Sequence, residues 1–258
     1  MALADELLNL DYLIYSSHKT GTQTLTRTLN SNGFKCRHCH YLPNIDLNNG
    51  EFRRYLESYL KKNRKKLNVI TMFREPMERH VSSFFQGYGS RPLRLKEVEN
   101  KHETIIYKYT IKQLQEKYIS ELRDHSLIGF HESIHDICRE LSVRTDNLEY
   151  SNTKRFGLFE TELIRLFLFR FDILFDNFNH LLTRVTDKNI IITNSNISNQ
   201  KWYRKIYTEF KASLVIPDDV ISEVYNQKQD LINLFYSNNY DSRLKQALVN
   251  YGGSRESG

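Results

Sequence analysis

Cysteine is scarce in this sequence, and its scarcity excludes the small, cross-linked domains of many secreted proteins. The 258 residues include three cysteines, Cys36, Cys39 and Cys138. An odd and small number in a chain of this length argues against a disulfide framework. We therefore expect buried or half-buried free cysteines and a reducing compartment.

The sequence contains no long apolar run, and its first residues do not have the pattern expected of a secretory signal. The longest apolar stretches are short; Leu166 to Phe169, for example, is bounded by Arg165 and Arg170. A helix that crosses a bilayer needs about 20 apolar residues. Met1 to Leu10 is acidic and has no basic region followed by an apolar core, which a secretory signal requires. We therefore expect no stable membrane insertion and a cytoplasmic location.

What is present is the composition of an ordinary globular protein with a basic bias. Apolar residues make up 40% of the chain, charged residues 26%, and the net charge is +6. This charge favours anionic partners, but the dispersed basic residues and the absence of a recognised module argue against nucleic acid. No internal repeat or linker is visible, so we predict a single domain over residues 1–251. Residues 252–258 are interpreted as a tag remnant or a disordered tail.

The first 85 residues alternate between strand and helix patterns. Short apolar runs predict strands over 12–16, 34–40 and 68–73. Helical spacing marks residues 22–32, then the stretch from Phe52 to Leu60, and finally a helix that begins near Pro76, a residue that suits a first helical turn. This alternation predicts an α/β fold with a central parallel sheet and right-handed crossovers.

Helical patterns dominate the second half of the chain. We predict helices over 101–122, 130–141, 158–182, 199–211 and 217–237, and one further short strand over 189–193 that joins the sheet. Seven phenylalanines between Phe156 and Phe178 are assigned to the core at helical spacing. The expected architecture is a three-layer sandwich with a helix-rich second half.

The loop after the first predicted strand has the composition of an anion site. Residues 16–24 read Ser-Ser-His-Lys-Thr-Gly-Thr-Gln-Thr and lead from a strand into a helix, where backbone N–H groups and the positive end of the helix dipole converge. Gly21 allows a tight turn, and Lys19 adds a positive charge. Hydroxyl donors are available from Thr20, Thr22 and Thr24. Because Lys19 precedes the single glycine, the Walker pattern is incomplete, which disfavours an ordinary ATPase.

A second anion-binding segment follows the third predicted strand. Arg74 stands at the strand end, where a guanidinium can bind a phosphate through two hydrogen bonds, and Ser82 follows in the next helix. Arg79 either faces the same cleft or pairs with Glu75. Ligands of open α/β sheets bind outside the carboxyl ends of the strands, near a change in strand order. Together the two segments indicate one ligand with two separated phosphate-like groups.

These segments resemble a known family. Residues 18–25, His-Lys-Thr-Gly-Thr-Gln-Thr-Leu, resemble the 5′-phosphosulfate loop of sulfotransferases that use 3′-phosphoadenosine-5′-phosphosulfate (PAPS). Residues 74–85, Arg-Glu-Pro-Met-Glu-Arg-His-Val-Ser-Ser-Phe-Phe, resemble their 3′-phosphate motif, and residues 199–203, Asn-Gln-Lys-Trp-Tyr, resemble the motif of the NKWYS capsular polysaccharide synthesis family. The resemblance implies a P-loop-type sandwich and a carbohydrate acceptor such as a capsular or surface polysaccharide.

The resemblance also implies roles for individual residues. Lys19 would neutralise charge on the oxygen that bridges to the leaving nucleotide, while Gly21 and Thr22 would cradle the 5′-phosphosulfate. Arg74 and Ser82 would hold the 3′-phosphate. No metal is implied, and the transfer would be in-line. The whole predicted cofactor-binding set is Lys19, Thr20, Gly21, Thr22, Gln23, Thr24, Arg74, Ser82 and Lys201.

The acceptor hydroxyl needs a general base, and members of this family use a His or a Glu after the first helix. His38 and His40 lie two residues apart near the end of the second predicted strand, so they share one face. Histidine suits base chemistry near neutral pH. We prefer His40, which is nearer the strand end, followed by His38; Glu75, Glu78 and His131 rank below them.

Other interpretations of the sequence remain open. Cys36, Cys39 and the neighbouring histidines match a haem-attachment pattern and could supply zinc ligands, although no second ligand pair is visible. An atypical nucleotide kinase or NTPase would need Mg²⁺ and a carboxylate near the third strand, for which Glu75 is the candidate. A non-catalytic nucleotide- or glycan-binding module is the third possibility.

Overall fold

The structure is a computed structural model that describes residues 6–41, 51–85, 109–125, 130–174, 178–192 and 204–253. It is an α/β protein in which the described residues form five strands and eleven α-helices. The strands are β1 (Tyr12–Tyr15), β2 (Cys36–Cys39), β3 (Leu67–Phe73), β4 (Gly157–Glu160) and β5 (Ile164–Arg170). The helices are α1 (Thr22–Ser31), α2 (Glu51–Asn63), α3 (Pro76–Phe84), α4 (Ile111–Arg123), α5 (Ser133–Glu140), α6 (Phe171–Leu174), α7 (Phe178–Thr186), α8 (Arg204–Ser213), α9 (Asp218–Asn226), α10 (Gln229–Phe235) and α11 (Tyr240–Tyr251).

The five strands form one sheet in the order β2-β1-β3-β5-β4. Every neighbouring pair is parallel except β4 and β5, which are antiparallel. The chain runs from β1 to β2 on one side and then returns past β1 to β3 on the other. Strand order therefore changes direction between β1 and β3, which is where ligands bind in open parallel sheets. The predicted parallel sheet is confirmed.

The described residues group into two compact units. Unit 1 comprises the described residues within Met1–Arg74, His131–Ser195 and Leu234–Ser237. Unit 2 comprises those within Glu75–Phe130, Asn196–Asn233 and Asn238–Gly258. All five strands belong to unit 1, and the single domain predicted over residues 1–251 stays a prediction. Near the end of the chain, the backbone of Gly252 forms a bridge with Ile216.

The core of unit 1 has helices on both faces of the sheet. On one face, Ile14, Met72 and Phe169 pack with residues of α1 and α7 such as Leu25 and Leu182. On the other face, the Tyr15 ring contacts Phe52 of α2 at 5.8 Å between centroids, and Thr71 contacts Ser133 of α5. This arrangement of helix, sheet and helix is consistent with the expected three-layer sandwich.

Unit 2 is built from helices around an aromatic core. Phe84 of α3, Tyr118 of α4 and Phe210 of α8 are fully buried. Their ring centroids lie 5.3 to 5.8 Å apart, a spacing typical of packed aromatic pairs. None of the helices in the described ranges combines the length and the apolar character that a membrane crossing requires.

The prediction of one helix over 158–182 is wrong. Residues 157–160 and 164–170 are the strands β4 and β5, and β5 pairs with β3 over its full length. A central parallel strand is buried on both faces and therefore has a nearly continuous apolar run. Such a run also contains apolar residues at helical spacing, so the pattern does not separate it from a buried helix. Phe167 and Phe169 are core residues as predicted, but they share a face because they are two apart on a strand.

Two other predicted elements, a strand over 189–193 and a helix over 217–237, differ from the structure. Residues 189–192 form no strand; instead the side chain of Asn32 bonds the backbone of Ile191, accepting from its N–H at 2.9 Å and donating to its carbonyl at 2.7 Å. The side-chain amide thus occupies the groups that a neighbouring strand would need. The segment 217–237 is interrupted at Lys228, whose N–H closes a three-residue turn onto the carbonyl of Tyr225, so it forms α9 and α10.

Candidate functional site

The loop between β1 and α1 is tightly wound. Gly21 has φ 85° and Lys19 has φ 67°, both in the left-handed region, which glycine adopts freely and other residues rarely adopt. The first intrahelical bond of α1 runs from Leu25 N to Gly21 O, and Gly21 provides no side-chain cap. The backbone N–H groups at the start of α1 are therefore arranged as a helix presents them to an anion.

A buried serine and threonine hold this loop against the sheet. Ser16 Oγ lies 2.9 Å from Thr20 Oγ1, donates to Met72 O at 3.2 Å and accepts from Met72 N at 3.0 Å. The Thr20 hydroxyl donates to Ser17 O at 2.7 Å and is fully buried. Thr20 therefore shapes the loop through its side chain. Farther along the predicted set, Thr22 and Thr24 are buried and Gln23 is exposed.

Arg74 joins the loop from the end of β3. Its Nη1 donates to the carbonyl oxygen of Lys19 at 3.0 Å, and its guanidinium lies 4.5 Å from the centroid of the Phe171 ring. β3 neighbours β1 in the sheet, so the two predicted anion-binding segments meet at the change in strand order. One of the five N–H donors of the guanidinium is used in this contact, and Phe171 supports its plane.

The remaining residues of the second predicted segment belong to unit 2. The Glu75 carboxylate caps α3, accepting from Met77 N at 3.2 Å and Glu78 N at 2.7 Å, and it also accepts from the Tyr225 hydroxyl. Burial raises the pKa of Glu75. Arg79 is 1% exposed. Ser82 is half-buried in α3, and its role in the site stays a prediction.

The predicted Lys201 lies outside the described residues, as do its neighbours in the Asn-Gln-Lys-Trp-Tyr motif. Its proposed contact with the nucleotide therefore stays a prediction.

His38 of β2 and His40, the residue just after β2, lie close together beside the loop. The centroids of His38 and His40 are 5.5 Å apart. His40 Nδ1 lies 2.7 Å from Ser16 O. Because a carbonyl only accepts, Nδ1 carries a proton, and in the neutral ring Nε2 is then the nitrogen with the lone pair. His38 Nδ1 lies 3.2 Å from the hydroxyl of Thr26, which itself donates to Thr22 O. Burial and the nearby charge of Arg37 lower the pKa of His38.

Three further residues join this histidine pair. The His18 ring lies 3.8 Å from that of His40, and the Tyr41 ring lies 5.5 Å from that of His18 and 4.3 Å from that of His131. His18 is the first residue of the segment 18–25 that resembles a phosphosulfate loop, but no role was predicted for it. No sequence pattern could pair Tyr41 with His131, because 90 residues separate them and only the packing of α5 beside β1 brings them together.

A second contact that the sequence did not indicate links the loop to α5. Ser17 Oγ donates to Glu132 Oε2 at 3.1 Å and accepts from Ser133 N at 3.0 Å. Ser133 Oγ in turn lies 3.2 Å from Thr71 Oγ1. These groups are buried, so the loop is fixed to β3 and α5, and a carboxylate lies within hydrogen-bonding distance of the loop.

The cysteines do not form a shared site. All three are free and buried, as expected. Cys36 and Cys39 are three apart on β2, so their side chains lie on opposite faces of the sheet. Burial raises the pKa of both thiols, that of Cys39 to about 12. Within the ranges the structure describes, no group of three or more His, Cys, Asp or Glu is placed to hold a metal ion.

No protein-family model, curated protein or solved structure matches this chain.

Proposed function

We propose that this chain is a P-loop-type sulfotransferase that transfers a sulfuryl group from PAPS to a hydroxyl of a carbohydrate. The observation that carries the proposal is the hydrogen bond from Arg74 to the carbonyl of Lys19. It joins two segments, each typical of an anion site, at the position in the sheet where nucleotides bind. A ligand with phosphate groups at two separated positions fits such a pair of segments.

The residues of unit 1 fit the proposed ligand. The left-handed turns at Lys19 and Gly21 direct the backbone N–H groups at the start of α1 toward one anionic group. Lys19 would add the charge that stabilises the leaving oxygen, and Arg74 would hold the 3′-phosphate. The motif resemblance adds Ser82 and Lys201 to the predicted contacts of that phosphate. PAPS would supply the sulfuryl group and leave as the 3′,5′-bisphosphate PAP.

The histidines provide the base that the acceptor hydroxyl needs. His40 has its proton fixed on Nδ1 by Ser16 O, so Nε2 is the atom that would take the proton as the hydroxyl oxygen bonds to sulfur. His38 is the second candidate, and its lowered pKa keeps it neutral over a wider pH range. The carbohydrate nature of the acceptor comes from the motif resemblance, and a capsular or surface polysaccharide is the acceptor we propose.

The proposal is tested by calorimetric titration with PAP and with ADP, which lacks the 3′-phosphate. We expect wild type to bind PAP at least about tenfold more tightly than ADP, because charge-assisted hydrogen bonds contribute roughly 1.5–3 kcal/mol. Arg74→Ala should remove this preference and Arg74→Lys should restore part of it. Arg27→Ala is the matched control, because Arg27 is exposed on α1 and its loss removes the same charge.

Equal or tighter binding of ADP by wild type, unaffected by Arg74→Ala, would overturn the proposal. Loss of the preference for PAP in Arg27→Ala would show that net charge, and not the Arg74 site, sets the affinity.

One observation favours a second candidate, an atypical nucleotide kinase or NTPase. Such an enzyme needs a carboxylate near the phosphate loop to order Mg²⁺ and its waters. Glu75, the candidate from the sequence, caps α3, but Glu132 contacts Ser17 in the loop. Binding of ADP that strengthens with Mg²⁺ in wild type and not in Glu132→Gln would support the kinase. A non-catalytic binding module predicts tight PAP binding with no turnover of PAPS on a broad panel of acceptors.

A further inference from the structure

An anchored carboxylate lies beside the candidate site. Asp136, in the first half of α5, accepts hydrogen bonds from His131 Nε2 at 2.6 Å, from the Tyr15 hydroxyl at 2.9 Å and from Arg139 Nη2 at 2.6 Å. Burial by itself would raise the pKa of Asp136, but these three bonds outweigh it and lower the pKa to about 2. The carboxylate is therefore ionised at neutral pH and only accepts, which places a proton on His131 Nε2.

His131 begins a row of four aromatic rings that ends at the candidate base. The row consists of His131, Tyr41, His18 and His40, with successive centroids 4.3, 5.5 and 3.8 Å apart. At one end His131 is hydrogen-bonded to Asp136, and at the other end His40 is hydrogen-bonded to Ser16 O at 2.7 Å. The ring row is thus fixed at both ends by groups that belong to rigid elements, α5 and the end of β1.

The contacts of Asp136 go beyond what is needed to attach α5 to the sheet. Tyr15 already provides a direct hydrogen bond from β1 to Asp136, and Ser133 with Thr71 provides another link from α5 to the sheet. His131 adds a ring that is hydrogen-bonded to the carboxylate and whose centroid lies 4.3 Å from that of Tyr41. Carboxylate partners of this kind orient functional histidines in many enzymes.

We propose that Asp136 and His131 are positioning residues for sulfuryl transfer, holding Tyr41 and His18 so that His40 presents Nε2 toward the acceptor hydroxyl. This inference rests on the proposed function, because it assumes that His40 is the base. At metal sites, loss of a group that orients a histidine costs about 10–100-fold in affinity or activity, and we expect a loss of that order here. The loss should fall on kcat and leave the affinity for PAP unchanged, since the row contains none of the groups assigned to the nucleotide.

The test uses Tyr41→Ala and Tyr41→Phe, which differ only in whether the ring row is interrupted. Side-chain signals of histidine are followed by NMR in protein labelled with ¹⁵N-histidine, and PAP affinity is measured by calorimetry. We expect Tyr41→Ala to shift the ring signals of His18 and His40, Tyr41→Phe to leave them near their wild-type positions, and both variants to bind PAP within about threefold of wild type. With a substrate in hand, Tyr41→Ala should lower kcat about 10–100-fold and Tyr41→Phe should not.

Asp136→Asn tests the anchor itself. It should change the tautomer signals of His131 and shift those of His40, whereas Asp146→Asn, which removes an exposed carboxylate paired with Arg144, should shift neither. Unchanged His40 signals in both Tyr41→Ala and Asp136→Asn would overturn the positioning role. Loss of PAP affinity in these variants would also overturn it, because the row would then support the loop. If Asp136→Asn does not fold, the Tyr41 pair decides alone.

The proposed function fails separately from this inference. Wild type that binds PAP no more tightly than ADP would refute the sulfotransferase assignment, whatever the NMR signals of the ring row show.

Discussion

Ser16→Ala should destabilise unit 1 by removing the side chain that extends the pairing of β1 with β3. The backbone pairing of these strands ends at Ile14 and Ile70. Two residues farther along, the side chain of Ser16 makes the hydrogen bonds that a backbone partner of β3 would make. Its Oγ accepts from Met72 N at 3.0 Å and donates to Met72 O at 3.2 Å. Because Ser16 is fully buried, water cannot replace these bonds.

The magnitude follows from the groups that lose a partner. A buried donor or acceptor left without a hydrogen bond costs roughly 1–3 kcal/mol, and a carbonyl, with its two lone pairs, costs less than an N–H. Thr20 keeps its bond to Ser17 O, so it adds little. We therefore expect the free energy of unfolding to fall by about 2–3 kcal/mol, which corresponds to about 30-fold or more in the unfolding equilibrium.

The assay is urea unfolding followed by circular dichroism, combined with hydrogen exchange at the Met72 amide, whose exchange should accelerate by a similar factor. Ser58→Ala is the matched control, because Ser58 is exposed on α2 and donates to the carbonyl of Arg54 in the same helix. Alanine is a better helix former than serine, so stability should stay the same or rise slightly. A Ser16→Ala variant within about 0.5 kcal/mol of wild type, with unchanged exchange at Met72, would refute this reasoning.

Two further predictions concern titration and catalysis. Burial and the neighbouring charge of Arg79 lower the pKa of His80 well below its usual 6.5, so below about pH 6.5 only the unfolded state takes up this proton. The free energy of unfolding of unit 2 should therefore fall with decreasing pH by up to about 1.4 kcal/mol per pH unit. His80→Leu should remove that slope, whereas His180→Leu, at an exposed position of α7, should not. Equal slopes for wild type and His80→Leu in urea titrations at pH 7, 6 and 5 would contradict this. Lys19→Ala should lower turnover of PAPS about 10²–10³-fold with far less effect on PAP affinity, whereas the control Lys35→Ala should match wild type. Near-normal turnover in Lys19→Ala would remove Lys19 from the mechanism.

Local patterns in the sequence determined the first half of the sheet and indicated where a candidate site lies. Alternation of short apolar runs with helical spacing predicted β1, β2 and β3 to within two residues at each end, because each strand is short, buried and bounded by polar residues. The glycine, lysine and threonines of the loop predicted an anion site, since these residue types favour left-handed turns and exposed backbone donors. The spacing of His38 and His40 predicted a shared face for the same local reason.

Only the tertiary structure decided the features that depend on residues far apart in the chain. The run from Ile164 to Arg170 has no local signal that separates a strand from a helix. It is a strand because β3 pairs with it throughout, and five of its seven residues are buried in the assembled sheet. Likewise, Asn32 bonds the Ile191 backbone across 159 residues, which removes a strand that the local sequence favours.

The surroundings of the candidate base were decided in the same way. His131 and Asp136 are linked to His40, through the rings of Tyr41 and His18, only because α5 packs against the end of β1, where Tyr15 reaches Asp136. Short-range patterns record which side chains share a face of one element. Contacts between elements, which set the tautomers and the orientation of the histidines, arise only when the sheet and its helices have assembled.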